Sequence, residues 1–128
     1  MAGKVLLDTN IVIALFSGDK AVSPQIAGSD VLLSSIVLGE LYYGARKSGQ
    51  TASNLARIDQ FAESVAVLNC DAVTAQHFGQ IKDRLRSKGR PIPDNDVWIA
   101  AIARQYDLPL ATRDGHFKEI DGLALQIW

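Results

Sequence analysis

Val5–Asp19 reads VLLDTNIVIALFSGD, with one carboxylate, Asp8, between an apolar triplet and a second apolar run. Val5, Leu6 and Leu7 have the length of a short buried strand. Ile11 to Phe16 begins a helix, which Thr9 or Asn10 is placed to cap. A strand passing directly into a helix is the opening unit of an α/β fold, and it sets Asp8 at the carboxyl end of the strand. Burying a carboxylate without a partner is costly. Helix capping is one compensation, and a cation is another.

The same unit recurs downstream. After a loop over 17–30, VLLSS (31–35) repeats the apolar run and ends in serines that can cap the helix IVLGELYYGARK (36–47). Leu55, Ile58, Phe61 and Val65 fall at helical intervals, and VAVL (65–68) follows as a third strand. Phe78, Ile81 and Leu85 share one face of the next helix, with Gly89 at its C-terminal cap. RPIPDND (90–96) is a turn that stops this helix and starts VWIAAIARQY (97–106), which is apolar nearly all round and so belongs in the core. LPLATRD (108–114), a helical turn around GHFKEI (115–120) and the final strand in LALQIW (123–128) complete the chain. This alternation predicts one domain over 1–128, a three-layer α/β/α sandwich around a mostly parallel sheet. Ligand sites in such sheets lie outside the carboxyl ends of the strands.

Composition excludes several classes. The 128 residues are 48% hydrophobic and 21% charged, with a mean hydropathy of +0.08, which is ordinary globular usage. No apolar run approaches the ~18 residues of a membrane span, and the N-terminus lacks the pattern of a secretory signal. A single cysteine, Cys70, agrees with a reducing, cytoplasmic location. With a net charge of −1 the molecule has no bulk positive field for polyanions, so any nucleic-acid contact must be local. The two histidines, His77 and His116, have no zinc-site spacing, so a metal is expected on oxygen ligands.

Four acids sit where apolar elements begin, end or turn: Asp8, Glu40 within IVLGELYYG, Asp96 before VWIAAIA, and Asp114 after LATR. Asp96 shares a helical face with Ile99, Ala100 and Ala103, which leaves Asp94 to capping or an outer position. Asp114 also fits an ordinary Asp-Gly turn. Carboxylates that converge repel one another unless a cation relieves them, and hard oxygen donors suit Mg²⁺ or Mn²⁺. Such a site is suited to metal-dependent phosphodiester hydrolysis. A solvated helix face is the default account of the bases Arg46, Lys82 and Arg86, and local binding of phosphate is the second.

LLDTNIV (6–12), GELYYGA (39–45), PDNDVWIAAIA (93–103) and LATRDGHF (110–117) occur in this order, each carrying an acid. Together they resemble the PIN-domain ribonucleases of the VapC toxin type, over nearly the whole chain. The resemblance implies a PIN-like fold and metal-binding, catalytic roles for Asp8, Glu40, Asp96 and Asp114, the last being the most variable acid of the family. It gives Thr112 a part in ordering a water or a metal ligand. It further implies Mg²⁺ or Mn²⁺ as cofactor, RNA as substrate, a homodimer, and an inhibitory VapB-type antitoxin. The antitoxin is expected to lay a tail along an apolar groove beside IVIALF and GELYYGA and to push a basic side chain toward the acids. A haloacid-dehalogenase-type phosphatase would need a second Asp where Asn10 stands, and a response-regulator receiver fits neither VAVLNCD nor LPLATRD cleanly. The non-enzymatic alternative is a PIN-like module that binds RNA or protein without turnover.

Overall fold

The computed structural model describes residues 3–128. Strand β1 (Lys4–Leu7) is buried on three successive residues, hence on both faces, as a central parallel strand must be. It pairs with β2 (Asp30–Ser34) on one side and β4 (Leu110–Thr112) on the other. Strand β3 (Ala66–Leu68) pairs with β2, and β5 (Leu125–Ile127) with β4. All four pairings are parallel, in the order β3-β2-β1-β4-β5.

The chain grows outward from β1 to β3, then crosses back to add β4 and β5 on the other side of β1. Strand order therefore reverses between β1 and β4. At such a switch point the connections leaving the two strands diverge to opposite faces and open a crevice at their carboxyl ends. Right-handed crossovers put the helices between β1 and β3 on one face, namely α1 (Thr9–Phe16), α2 (Ser23–Ala27), α3 (Ser35–Lys47) and α4 (Thr51–Ser64). They put α5 (Ala72–Ser87) and α6 (Asp94–Gln105) on the other. Accordingly α3 packs on α1 and α4, and α5 on α6. The expected α/β/α sandwich is the observed architecture.

The core follows the apolar patterning. Val97, Ile99, Ala100, Ala101, Ile102 and Ala103 of α6 are all buried, as a helix apolar on most sides requires. Ile81 and Leu85 of α5 face it, while Phe78 stacks on Trp98 with ring centroids 4.0 Å apart. Helix α5 ends at Ser87 with Lys88 as C-cap. Gly89 follows at φ 67°, the left-handed conformation that lets the chain leave a helix without a Cβ clash.

Three local expectations are corrected. The loop over 17–30 contains the short helix α2, which begins with Pro24 in its first turn, where a missing N–H costs nothing. Helix α1 is capped by Asp8 itself, whose Oδ1 accepts the Thr9 N–H at 2.8 Å, and not by Thr9 or Asn10. Asp94 does not cap α6: Pro93 occupies that position, and Asp94 pairs with Lys82 at 2.9 Å.

Phe117, fully buried in a 3₁₀ turn over Gly115–Glu119, pins the segment after β4 to the core. Phe117→Ala is expected to lower unfolding free energy by ~3–5 kcal/mol, the range for a large buried aromatic, measured by urea denaturation. A loss below ~1 kcal/mol would mean that the turn is held by something other than this ring.

Candidate metal centre

Asp8 leaves β1 at the switch point and is 5% exposed. Its two oxygens are each held from a different direction. Oδ1 caps α1 through the Thr9 N–H, and Oδ2 accepts the Thr112 hydroxyl at 2.6 Å from the end of β4. The Thr112 Oγ1 also accepts the Asp114 N–H at 3.0 Å, so one buried hydroxyl orients Asp8 and sets the turn that follows β4. Thr9 is just as economical: with its N–H on Asp8, its hydroxyl donates to Glu40 Oε1 at 3.2 Å, linking α1 to α3. A carboxylate oxygen has two lone pairs, so each of these hydrogen bonds leaves acceptor capacity for a further ligand.

Asp96 stands in the first turn of α6, on the crevice side. Asp114 caps the 3₁₀ turn, its Oδ1 accepting the His116 N–H at 3.2 Å. The His116 ring lies between these two acids, with Nε2 2.6 Å from Asp96 Oδ2 and Nδ1 2.9 Å from Asp114 Oδ1. Ligating atoms of Asp96, Asp114 and His116 all fall within 4.8 Å of one another.

The four acids singled out in the sequence therefore converge, and they feel one another. Burial pushes the Asp8 carboxyl above its ordinary range. The hydrogen bonds from Thr112 and Thr9 oppose this rise, while the charges of Asp96 and Asp114 add to it. Glu40 is pushed up chiefly by burial as well, with the Thr9 hydroxyl opposing and Asp8 and Asp96 adding smaller increments. Desolvation and like-charge repulsion are the two forces that a divalent cation relieves, and the donor set of carboxylates and one imidazole fits such an ion.

Other sequence candidates lie outside this cluster. Lys82 is engaged with Asp94 and sits 5.6 Å from the centre of the Phe78 ring. Lys82 and Arg86 flank a shallow apolar cavity of about 260 Å³ floored by Leu85, Pro91, Ile92 and Val97. Arg46 is exposed near the end of α3.

Sequence reasoning did not single out His116, whose imidazole stands with Asp96 and Asp114 as a nitrogen donor beside the expected oxygen ligands. The one signal was its place two residues after Asp114 in TRDGHF, too common a spacing to distinguish a ligand from a turn residue. Arg113 was also unmarked. It pairs with Asp19 at 2.9 Å, donates to the Trp128 carbonyl at 2.9 Å and offers its N–H to Asn10 Oδ1, tying the α1 loop and the last strand to the rim of the site.

Comparison with known proteins places this geometry. The PIN domain family matches residues 5–123. The tRNA(fMet)-specific endonuclease VapC of Shigella flexneri is 36% identical over 129 residues, spanning 98% of both chains. Ribonuclease VapC2 of Haemophilus influenzae is 37% identical over 130 residues, again with 98% of each chain covered. Among solved structures, DNA-bound VapBC from Salmonella typhimurium superposes with a TM-score of 0.89 at 32% identity over 98% of each chain. VapBC2 from Rickettsia felis bound to a promoter DNA fragment gives 0.90 at 29% identity, also over 98% of each chain. The chain belongs to the PIN-domain family.

The raised Asp8 carboxyl has a measurable consequence. A group whose pKa is raised by folding favours the folded state while protonated, and that contribution is lost as pH rises through the raised value. Once pH has risen through that raised range, the metal-free protein bears the cost of an ionised Asp8. Asp8→Asn, whose amide oxygen can keep the Thr9 N–H while its NH₂ turns to donate to Thr112 Oγ1, is expected to raise Tm in EDTA at pH ~7 by ~3 °C, roughly what 1 kcal/mol gives in a domain of this size. The gap should close as pH falls toward ~4. A variant that melts below the parent at neutral pH would place the net effect of Asp8 on the stabilising side.

Proposed function

We propose that the chain is the ribonuclease toxin of a VapBC-type toxin–antitoxin pair. In this assignment it is an endoribonuclease that hydrolyses RNA phosphodiester bonds with Mg²⁺ or Mn²⁺ and is silenced by a VapB-type antitoxin. One observation carries it: Asp8, Glu40, Asp96 and Asp114 meet at the carboxyl ends of β1 and β4 in a chain 36% identical to a VapC endonuclease over 98% of its length.

Asp8, Asp96 and Asp114, with Glu40 alongside, are the residues that would hold the metal. A bound divalent cation supplies neutralisation of phosphate charge and a water more easily deprotonated than in bulk. Thr112 positions Asp8 through its 2.6 Å hydrogen bond, so that this carboxylate is fixed before substrate arrives. Glu40, half-buried and pushed up from its ordinary range, is suited to accept the proton of the attacking water at its carboxylate, a role its tether to Thr9 helps to orient. Lys82, Arg86 and Arg46, all exposed, supply local positive charge for RNA phosphates in a molecule of net charge −1. RNA as substrate, a homodimeric assembly and a cytoplasmic place of action belong to the same assignment.

The antitoxin finds a matching surface. A groove of about 350 Å³ runs between α1, α3 and α4, lined by Ile13, Phe16, Leu41 and Ile58, with Glu40 contributing to its wall. Ile13 is 53% exposed there, an apolar side chain left without a partner. An apolar segment laid in this groove can carry a basic side chain to Glu40 and on toward the acids.

The purified chain, freed of antitoxin, is expected to cleave RNA when Mg²⁺ or Mn²⁺ is supplied and to stop when EDTA is added. Asp8→Asn and Asp96→Asn should each lower the single-turnover rate by ~100-fold or more, read on total RNA by gel and end mapping. EDTA-insensitive cleavage, or an Asp8→Asn rate equal to the parent's, would overturn the metal-site assignment. RNA binding without cleavage would favour the non-catalytic module. Lys82→Ala and Arg86→Ala are expected to weaken RNA binding across sequences alike and to reduce the slope of log affinity against log salt by up to ~1 each. Unchanged slopes would remove these bases from the RNA path.

A further inference from the structure

Resting on the ribonuclease function proposed above, we infer that the exposed ring of Tyr43 is a stacking platform for one unpaired base of the RNA. The base lodges in the open cavity beside Glu40, and Lys47 takes the phosphate next to it. The two tyrosines of GELYYGA are put to different uses. Tyr42 is half-buried, and its hydroxyl donates to Asp59 Oδ1 at 2.5 Å, which straps α3 to α4. Tyr43 is 65% exposed, more than any other large apolar side chain among the described residues. A single exposed aromatic is ordinary on a protein surface, and it is the surroundings of this one that set it apart.

Ile36, Glu40, Tyr43 and Lys47 follow one another at helical spacing along one stripe of α3. Asn95, in the first turn of α6 and next in the chain to Asp96, is exposed and faces the same space. Where these two helices meet, an open cavity of about 340 Å³ has Ile36, Gly39, Glu40, Tyr43 and Asn95 on its walls, within the ~300–1,000 Å³ usual for small-ligand sites. Glu40 also borders the groove between α1, α3 and α4, so it separates two surfaces of different chemistry. The groove presents Ile13, Phe16, Leu41 and Ile58 to an apolar segment. The cavity presents one aromatic ring, one amide that both donates and accepts, and the bare backbone of Gly39. That set matches a nucleobase, whose face stacks on an aromatic ring while its polar edge meets the amide.

Charge points to the same occupant. Lys47 Nζ lies 4.7 Å from the centre of the Tyr43 ring, a cation–π contact that steadies the ring and brings a positive charge to it. Lys47 is exposed and, unlike Lys82, takes part in no ion pair among the described residues. The acids of the crevice repel a polyanion, so affinity for the strand has to be gathered beside them. Glu40 in the cavity wall, and Asp96 next to Asn95, put a nucleotide held on Tyr43 beside the acids proposed to bind metal. A stacking contact of this kind is made alike before and during cleavage. It therefore acts on binding, and on which bond is cut, more than on the maximal rate.

The probe is a single-stranded RNA oligonucleotide spanning a bond that the parent chain cuts, with abasic riboses substituted one at a time at the nucleotides flanking that bond. Tyr43→Ala is expected to raise the half-saturating RNA concentration in single-turnover cleavage by ~10-fold, within the range for one stacked base, and to change the maximal rate by less than ~3-fold. Tyr43→Phe keeps the ring and should behave as the parent. One abasic substitution should cost the parent the same ~10-fold and cost Tyr43→Ala nothing further, because base and ring act as a pair. A Cβ at Gly39 meets nothing within 4 Å, so Gly39→Leu suits the helix and fills the cavity instead. It should match Tyr43→Ala in RNA affinity while melting no lower than the parent. Additive losses for ring and base, or a parent-like half-saturating concentration in Tyr43→Ala, overturn the inference and leave the ribonuclease function standing. So does a Tyr43→Ala chain that keeps its RNA affinity but loses a second copy in analytical ultracentrifugation or loses the antitoxin, since the ring then serves a protein contact. A parent chain that cuts no RNA removes the function proposed above, and this inference with it.

Discussion

The hydrogen bond from Thr112 Oγ1 to Asp8 Oδ2 joins residues 104 positions apart in the chain, and most of the site depends on it. It exists only because β4 returns to pair with β1, and because both strands end at the same level, with Leu7 beside Ala111. A one-residue slip of that register would turn Thr112 to the other face of the sheet and leave the buried Asp8 oxygen without its donor. The same hydroxyl accepts the Asp114 N–H, which begins the turn that carries His116. Fold and chemistry are thus coupled at one atom. The pairing that closes the core also aims the first acid and places the fourth.

Asp8 answers two demands at once. As N-cap it satisfies an orphan N–H of α1, and as a buried acid at the switch point it holds negative charge in the crevice. The capping role releases Thr9, whose hydroxyl reaches Glu40 and draws α3 toward the site. Neither function excludes the other, since hydrogen bonds from Thr9 and Thr112 hold the carboxylate without exhausting its lone pairs.

Much of this was legible before any coordinates. The apolar runs at Val5–Leu7, Val31–Leu33 and Val97–Ala103 are strong periodic or fully apolar signals, and helical phase was enough to set Asp96 on the crevice side and Asp94 away from it. What could not be read is which strands become neighbours: parallel strands joined by helices leave no mark of lateral order, and the 3-2-1-4-5 arrangement is a tertiary choice. Helix α2 was hidden because SPQIA is too short to show a period and has no buried residue. His116 escaped because its neighbours Asp96 and Asp114 come from two different elements, and twenty residues separate it from the first. Periodicity reports what an element buries, while a ligand set reports where several elements end.

Charge accounting links the metal to the antitoxin. Among the described residues Lys82 pairs with Asp94 and Arg113 with Asp19, while Arg57, which shares the groove with Glu40, lies over the Phe16 ring and not on a carboxylate. Among the described residues no Lys or Arg ion-pairs with the acids at the crevice, and their close neighbour is the His116 imidazole, against Asp96 and Asp114. The fold therefore brings four carboxylates together without supplying a Lys or Arg to neutralise them, and burial has already pushed Asp8 and Glu40 up. Relief has to come from outside the chain. A divalent cation provides it in the proposed active state, and a basic side chain carried down the groove past Ile13 and Phe16 provides it in the proposed inhibited one. Because both relieve the same deficit in the same small space, their binding is antagonistic, and by reciprocity whatever affinity the cation loses to the antitoxin, the antitoxin loses to the cation.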